Sequence, residues 1–157
     1  MKTLVAYYSA SGTTTETAKM IAEETGAALF EIKAQKPYTD ADLNWKNPLA
    51  RCNREKILNA DVPVQGTVAE FSAYDTVYLG FPIWYYGAPN IIRTFVKDYD
   101  WSGKKVVLFA TSGGSSFGKT VDHLKPFMKN GTIVSTKLLN GMSREDIQAW
   151  LRSQGSR

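Results

Sequence analysis

The sequence predicts an α/β protein built on a parallel sheet, and three observations predict it. Short apolar runs recur at Leu4–Tyr8, Asp75–Gly80 and Lys104–Ala110, apolar enough to be buried on two faces. Helical spacing appears between them: Ile91, Ile92, Phe95 and Val96 fall at i, i+1, i+4 and i+5, on one face. Strands alternating with helices in this way require crossovers, and crossovers cover both faces of a parallel sheet.

Taken in order, Leu4–Tyr8 is the first strand, and the helix after it ends near Gly26, with Ser11 or Thr13 as its N-cap. Ala27–Ile32 is a second, shorter strand. From Lys33 to Ala69 the pattern loosens around Pro37, Asp40, Asp42, Trp45 and Pro48, with a helix read at Asn47–Asn59. Asp75–Gly80 is the third strand. Pro89 suits the first position of a crossover helix, because its missing N–H is not needed there. Lys104–Ala110 is the fourth strand, Lys119–Met128 a helix and Thr132–Leu138 a fifth strand. Ser143 caps a last helix running through Trp150. These make about five β-α units without repeat, low-complexity tract or linker, and 157 residues are read as a single domain, residues 1–157.

Ligands of open parallel sheets bind at the carboxyl ends of the strands, so the loops there carry the chemistry. Between the first strand and its helix, Ser9, Ser11, Thr13, Thr14 and Thr15 place five hydroxyls around Gly12. Hydroxyls, free backbone N–H groups and the positive helix end converge there on an anion, and a phosphomonoester is the natural guest. The loop holds no lysine. Enzymes that move a γ-phosphate carry a cation at that place, so this phosphate is one that is held and never transferred.

The loop after the third strand, Phe81–Pro89, sets Trp84, Tyr85 and Tyr86 side by side between prolines. Three adjacent side chains cannot all point into a core, and aromatic faces stack on planar rings. After the fourth strand, Thr111, Ser112, Gly113, Gly114 and Ser115 let the backbone approach a ligand closely and offer hydroxyls to its polar edge. Gly113–Thr120 also satisfies the nucleotide P-loop pattern G-x-x-x-x-G-K-T. Context rejects that reading: the clear strands end at Gly80, Ala110 and Leu138, none in the Asp that would hold magnesium.

Composition removes other classes. One cysteine, Cys52, and one histidine, His123, allow neither an internal disulfide nor a zinc cluster, and point to a reducing compartment. The Leu4–Tyr8 run is too short for a signal peptide or a membrane span, so a cytoplasmic protein is expected. The net charge is +4, but the basic residues are dispersed without interleaved aromatics, which speaks against nucleic acid.

The loop Ser9–Thr14 and the order of strands and loops along nearly the whole chain resemble flavodoxin and its relatives. The resemblance implies a flavodoxin-like three-layer sandwich, a five-stranded parallel sheet in the order 2-1-3-4-5, with FMN held noncovalently at the switch point. By position, Ser9, Ala10, Ser11, Gly12, Thr13 and Thr14 would hold the ribityl phosphate. Pro82, Ile83, Trp84, Tyr85, Tyr86 and Gly87, with Thr111–Ser115, would flank the isoalloxazine, Trp84 or Tyr85 closest to stacking on it. A peptide near Gly87 would turn to accept a hydrogen bond from flavin N5–H. An electron carrier working between a reductase and an acceptor protein is implied, with no catalytic side chain. Two departures stand beside it: the chain is basic where carrier flavodoxins are acidic, and Pro82–Phe95 with Thr111–Gly114 also resembles flavin-dependent quinone reductases, which use NAD(P)H.

Overall fold

Side chains along the strands alternate between two cores. In the computed structural model, which describes residues 3–8, 13–33, 64, 66, 68, 70–82, 90–97, 99–111, 124–128, 131–138 and 143–155, Leu4, Ala6 and Tyr8 enter one apolar cluster. Val5 and Tyr7 enter the other. Period-two alternation with both faces apolar is what a central strand of a covered sheet requires.

The strands are β1 (Thr3–Tyr7), β2 (Ala28–Glu31), β3 (Thr76–Pro82), β4 (Lys105–Thr111) and β5 (Thr132–Leu138). They form one parallel sheet in the order β2-β1-β3-β4-β5, as the resemblance implies. Three helices are described: α1 (Thr13–Thr25), α2 (Asn90–Lys97) and α3 (Arg144–Gly155). α1 and α3 cover one face through Ala18, Ile21, Ile147, Trp150 and Leu151, packed on Val5, Tyr7, Val107 and Phe109. α2 covers the other with Ile91, Ile92, Phe95 and Val96, all fully buried.

Local signals account for the helix ends. Gly26 takes φ +70° just past α1, and the Ala27 N–H donates to the Ala22 carbonyl at 3.1 Å, a Schellman closure. Ser143 caps α3 as expected: its Oγ accepts from the Asp146 N–H at 3.2 Å, and its own N–H reaches Asp146 Oδ2 at 3.4 Å. On the surface between these helices, Arg144 pairs with Glu23 at 2.7 Å and Glu24 at 3.0 Å. Three sequence expectations shift. α1 begins at Thr13, so Thr13 is helical rather than a cap. β3 and β4 run on to Pro82 and Thr111, because parallel pairing with each other extends them past their apolar runs. Of the expected helix at Lys119–Met128, the described part is largely a 3₁₀ turn, Lys125–Phe127, with Pro126 in its first turn. Pro89 and the helix read at Asn47–Asn59 lie outside the described residues.

The amino end of the sheet is tied by a buried lysine. Lys104, 5% exposed, donates from Nζ to the Phe71 carbonyl at 3.0 Å and to the Tyr74 carbonyl, and sits 4.7 Å from the Phe71 ring centroid. Phe71 also meets Tyr99 and Trp101, whose indole N–H donates to the Val96 carbonyl at 2.8 Å. Replacing Lys104 by Met strips these carbonyls of their charged donor and is expected to cost about 1–3 kcal/mol in chemical denaturation.

Gly80 has no room for a side chain. A Cβ there would lie 2.1 Å from Phe109 Cζ, since the Phe109 ring lies across the glycine from the neighbouring strand. Gly80→Ala is expected to destabilise by about 1–3 kcal/mol through overpacking. A smaller side chain in the second-site variant Phe109→Leu should restore part of that loss, read as Tm in thermal unfolding.

Candidate functional site

The three loops singled out in the sequence leave the sheet side by side. β1, β3 and β4 are consecutive in the sheet, with Tyr7 paired to Gly80 and Pro82 to Thr111, so their carboxyl ends stand together. The Tyr8 N–H donates to the Gly80 carbonyl at 2.9 Å, which holds the start of the first loop against β3. The chain turns from β1 to β2 on one side and from β3 to β4 on the other, so this junction is the topological switch point of the sheet.

Of the predicted cofactor residues, the structure describes Thr13, Thr14, Pro82 and Thr111. Thr13 and Thr14 open α1, and Thr14 is buried at 2% exposure; Pro82 and Thr111 are paired at the ends of β3 and β4. Ser9, Ala10, Ser11, Gly12, Ile83, Trp84, Tyr85, Tyr86, Gly87, Ser112, Gly113, Gly114 and Ser115 lie outside the described residues. So does the whole P-loop-like stretch Gly113–Thr120.

The donor set fits a phosphate. α1 follows β1 with only residues 8–12 between them, so its N-terminus, with N–H groups that have no partner inside the helix, lies near the carboxyl end of β1. No acidic residue occurs from Ser9 to Thr15, and Glu16, the acid of the first turn, is exposed. Among the described residues no cluster of His, Cys, Asp or Glu could hold a metal, and no helix is long and apolar enough to cross a membrane.

Beneath the first turn of α1 lies a polar group that the sequence reading missed. Tyr7 is 4% exposed, and the Glu31 carboxylate and the Thr15 hydroxyl act on its phenol. Tyr7 and Glu31 are register partners across β1 and β2, and Lys33 Nζ stands 3.7 Å from the same carboxylate. Burial, then the Glu31 charge, push the Tyr7 phenol above its ordinary value, while Thr15 opposes them. Tyr7 reads as one more apolar-run residue in the sequence, and its pairing with Glu31 follows only from strand register. β2 therefore closes on an acid, Glu31, but one that stands beside Tyr7 in register and 3.7 Å from Lys33 Nζ. Because the folded phenol holds its proton more tightly than the unfolded one, the stability this site contributes is complete at neutral pH. It is lost as pH climbs past about 10 and through the higher folded value. Tyr7→Phe is expected to show a shallower alkaline decline in urea midpoint than the parent.

The sheet is doubly wound and parallel, with the carboxyl ends of β1, β3 and β4 together at its switch point, the place where open α/β sheets take their ligands. The flavodoxin family model matches residues 2–154, and the chain belongs to the flavodoxin family. Among solved structures, a protein assigned as a flavoprotein from Bacteroides eggerthii DSM 20697 is 38% identical, with 99% of each chain covered and a TM-score of 0.90. A second from Bacteroides uniformis ATCC 8492 is 41% identical over 96% of this chain and 97% of that one, TM-score 0.88. A flavoprotein in complex with FMN from Lactobacillus acidophilus NCFM is 25% identical over 99% of each chain, TM-score 0.73. No curated protein matches.

Proposed function

We propose that the chain binds FMN at the switch point and carries electrons between a reductase and an acceptor protein. The observation that carries this reading is the start of α1 just past the carboxyl end of β1, next to β3 in the sheet, after a loop of uncharged donors without an acid. A family relative that holds FMN supports it. When bound, the flavin supplies the one- and two-electron chemistry, and the protein tunes it.

The chain's own residues have separable tasks. The turn Ser9–Thr14 would hold the phosphate through hydroxyls and N–H groups, without a counter-cation. Phe109, across Gly80, backs the sheet face on which α1 rests. Trp84 or Tyr85 would stack on the ring and exclude water, the peptide near Gly87 would accept a hydrogen bond from flavin N5–H, and Thr111–Ser115 would bond the ring's polar edge.

A second reading, an FMN-dependent NAD(P)H oxidoreductase acting on quinones or similar acceptors, is favoured by one observation: the net charge of +4, which suits a phosphorylated nucleotide more than a basic redox partner. Absorption during anaerobic stepwise reduction, with and without NADPH, separates them. The carrier is expected to be yellow, to pass through a long-wavelength-absorbing form, and to stay oxidised with NADPH alone. Direct bleaching by NADPH with turnover on a quinone establishes the reductase, and a colourless protein that refuses added FMN removes both.

A further inference from the structure

We infer that the outer face of α2, with the 3₁₀ turn at Lys125–Phe127 beside it, is the docking surface for an acidic redox protein. The inference rests on the electron-carrier reading and adds to it the charge of the partner and the place where it settles. In α2 the core takes Ile91, Ile92, Phe95 and Val96, all fully buried. That leaves Arg93 and Lys97, at i and i+4, on the side turned from the sheet, with Lys97 exposed. The 3₁₀ turn packs against α2 and adds Lys125, also exposed. Neither element contains an acid. Past α2, the Asp100 carboxylate is held within its own turn, where it accepts from the Ser102 N–H at 3.0 Å and from the Ser102 hydroxyl at 2.7 Å.

The helices on the other face of the sheet have the opposite balance. α1 sets Glu16, Glu23 and Glu24 against Lys19, and in α3 Glu145 and Asp146 offset Arg144 and Arg152. The chain's surplus of positive charge is thus unevenly spread over the described helices, and α2 with its neighbouring turn holds the basic share. Position gives this asymmetry a use. α2 starts after residues 83–89, which leave β3 at the carboxyl end of the sheet, so Arg93, in the opening turn of the helix, lies toward the end where the flavin is proposed to bind. An acidic surface that settles on α2 comes in beside that loop. Complementary charge speeds encounter and fixes orientation, and salt screens it. The three cations stand on outer faces of a helix and a turn, not in the loops that would take a nucleotide, so their charge addresses a protein surface.

The test uses the full-length chain loaded with FMN, and a gold electrode under a carboxylate-terminated monolayer stands in for the acidic partner. Voltammetry reads the rate of electron exchange. The parent is expected to exchange about tenfold faster there than on an amine-terminated monolayer, and to lose that advantage as salt rises from about 0.01 to about 1 M. Arg93→Glu, Lys97→Glu and Lys125→Glu combined are expected to lower the rate on carboxylate at least about fivefold. A control with the same change in net charge, combining Lys19→Glu, Lys105→Glu and Arg152→Glu at exposed positions elsewhere, is expected to stay within about twofold. Lys97→Glu alone should lower the rate in the same direction, and it decides the matter if the triple variant sheds its flavin. Equal losses in the two triple variants, or no loss in the first, overturn the inference. Self-association of the parent at low salt that the first triple variant abolishes, read by light scattering, gives the face to a second copy and also overturns it. In all these outcomes the flavin signal is present. A parent without a flavin signal on either electrode overturns the electron-carrier reading, and the inference with it.

Discussion

The arrangement at the carboxyl end depends on one packing constraint: the Phe109 ring occupies the space that a side chain on Gly80 would need. These two residues belong to a single row across the sheet, Glu31, Tyr7, Gly80, Phe109 and Lys137, each paired with the next. The glycine leaves room for the Phe109 ring, which packs in one cluster with Tyr7 and with Ala18 and Ile21 of α1. Leu79 and Phe81, on either side of Gly80, point to the opposite core. Any bulk at the middle of the row would be transmitted to the helix that opens onto the loops, because close-packed interiors transmit strain.

The opposite end of the sheet has a different character. There the aromatic rings of Phe71, Phe95, Tyr99 and Trp101 pack against one another, with ring centroids as close as 4.5 Å. Their polar tips are all used: the Tyr99 hydroxyl accepts from the Val68 N–H at 2.8 Å, and Trp101 bonds to Val96. Lys104 adds a charge among them, bonded to two carbonyls. Among the described residues no buried side-chain nitrogen or oxygen lacks a partner. A satisfied, ring-filled base at one end gives the loops at the other end a rigid frame.

Much of this was legible in the sequence, and for a simple reason. Buried parallel strands are continuous apolar runs, and β1, β3 and β4 announced themselves as such. Ser143 and Gly26 marked helix ends because their chemistry is local. Strand order was available only through the resemblance, since periodicity says nothing of which strand lies beside which. What local pattern cannot carry is register. The Tyr7–Glu31 pairing joins residues 24 positions apart in sequence, and the fit of Phe109 over Gly80 depends on strand alignment. The extensions to Pro82 and Thr111 arise the same way, from hydrogen bonds to a neighbour rather than from intrinsic preference. Lys104 opens an apolar run in the sequence, and nothing in its neighbours indicates that it is buried.

The contact between α1 and α3 has a bearing on biosynthesis. Arg144 grips Glu23 and Glu24 across some 120 positions of sequence, and Ile147, Trp150 and Leu151 complete the apolar layer begun by Ala18 and Ile21. During translation the helix nearest the loop therefore leaves the ribosome well before the helix that seals it, at about 5–20 residues per second. Until α3 emerges, that side of the sheet stays open to water and to chaperones. The face of the sheet under α1 is thus completed late, once the chain through α3 has been made and has docked.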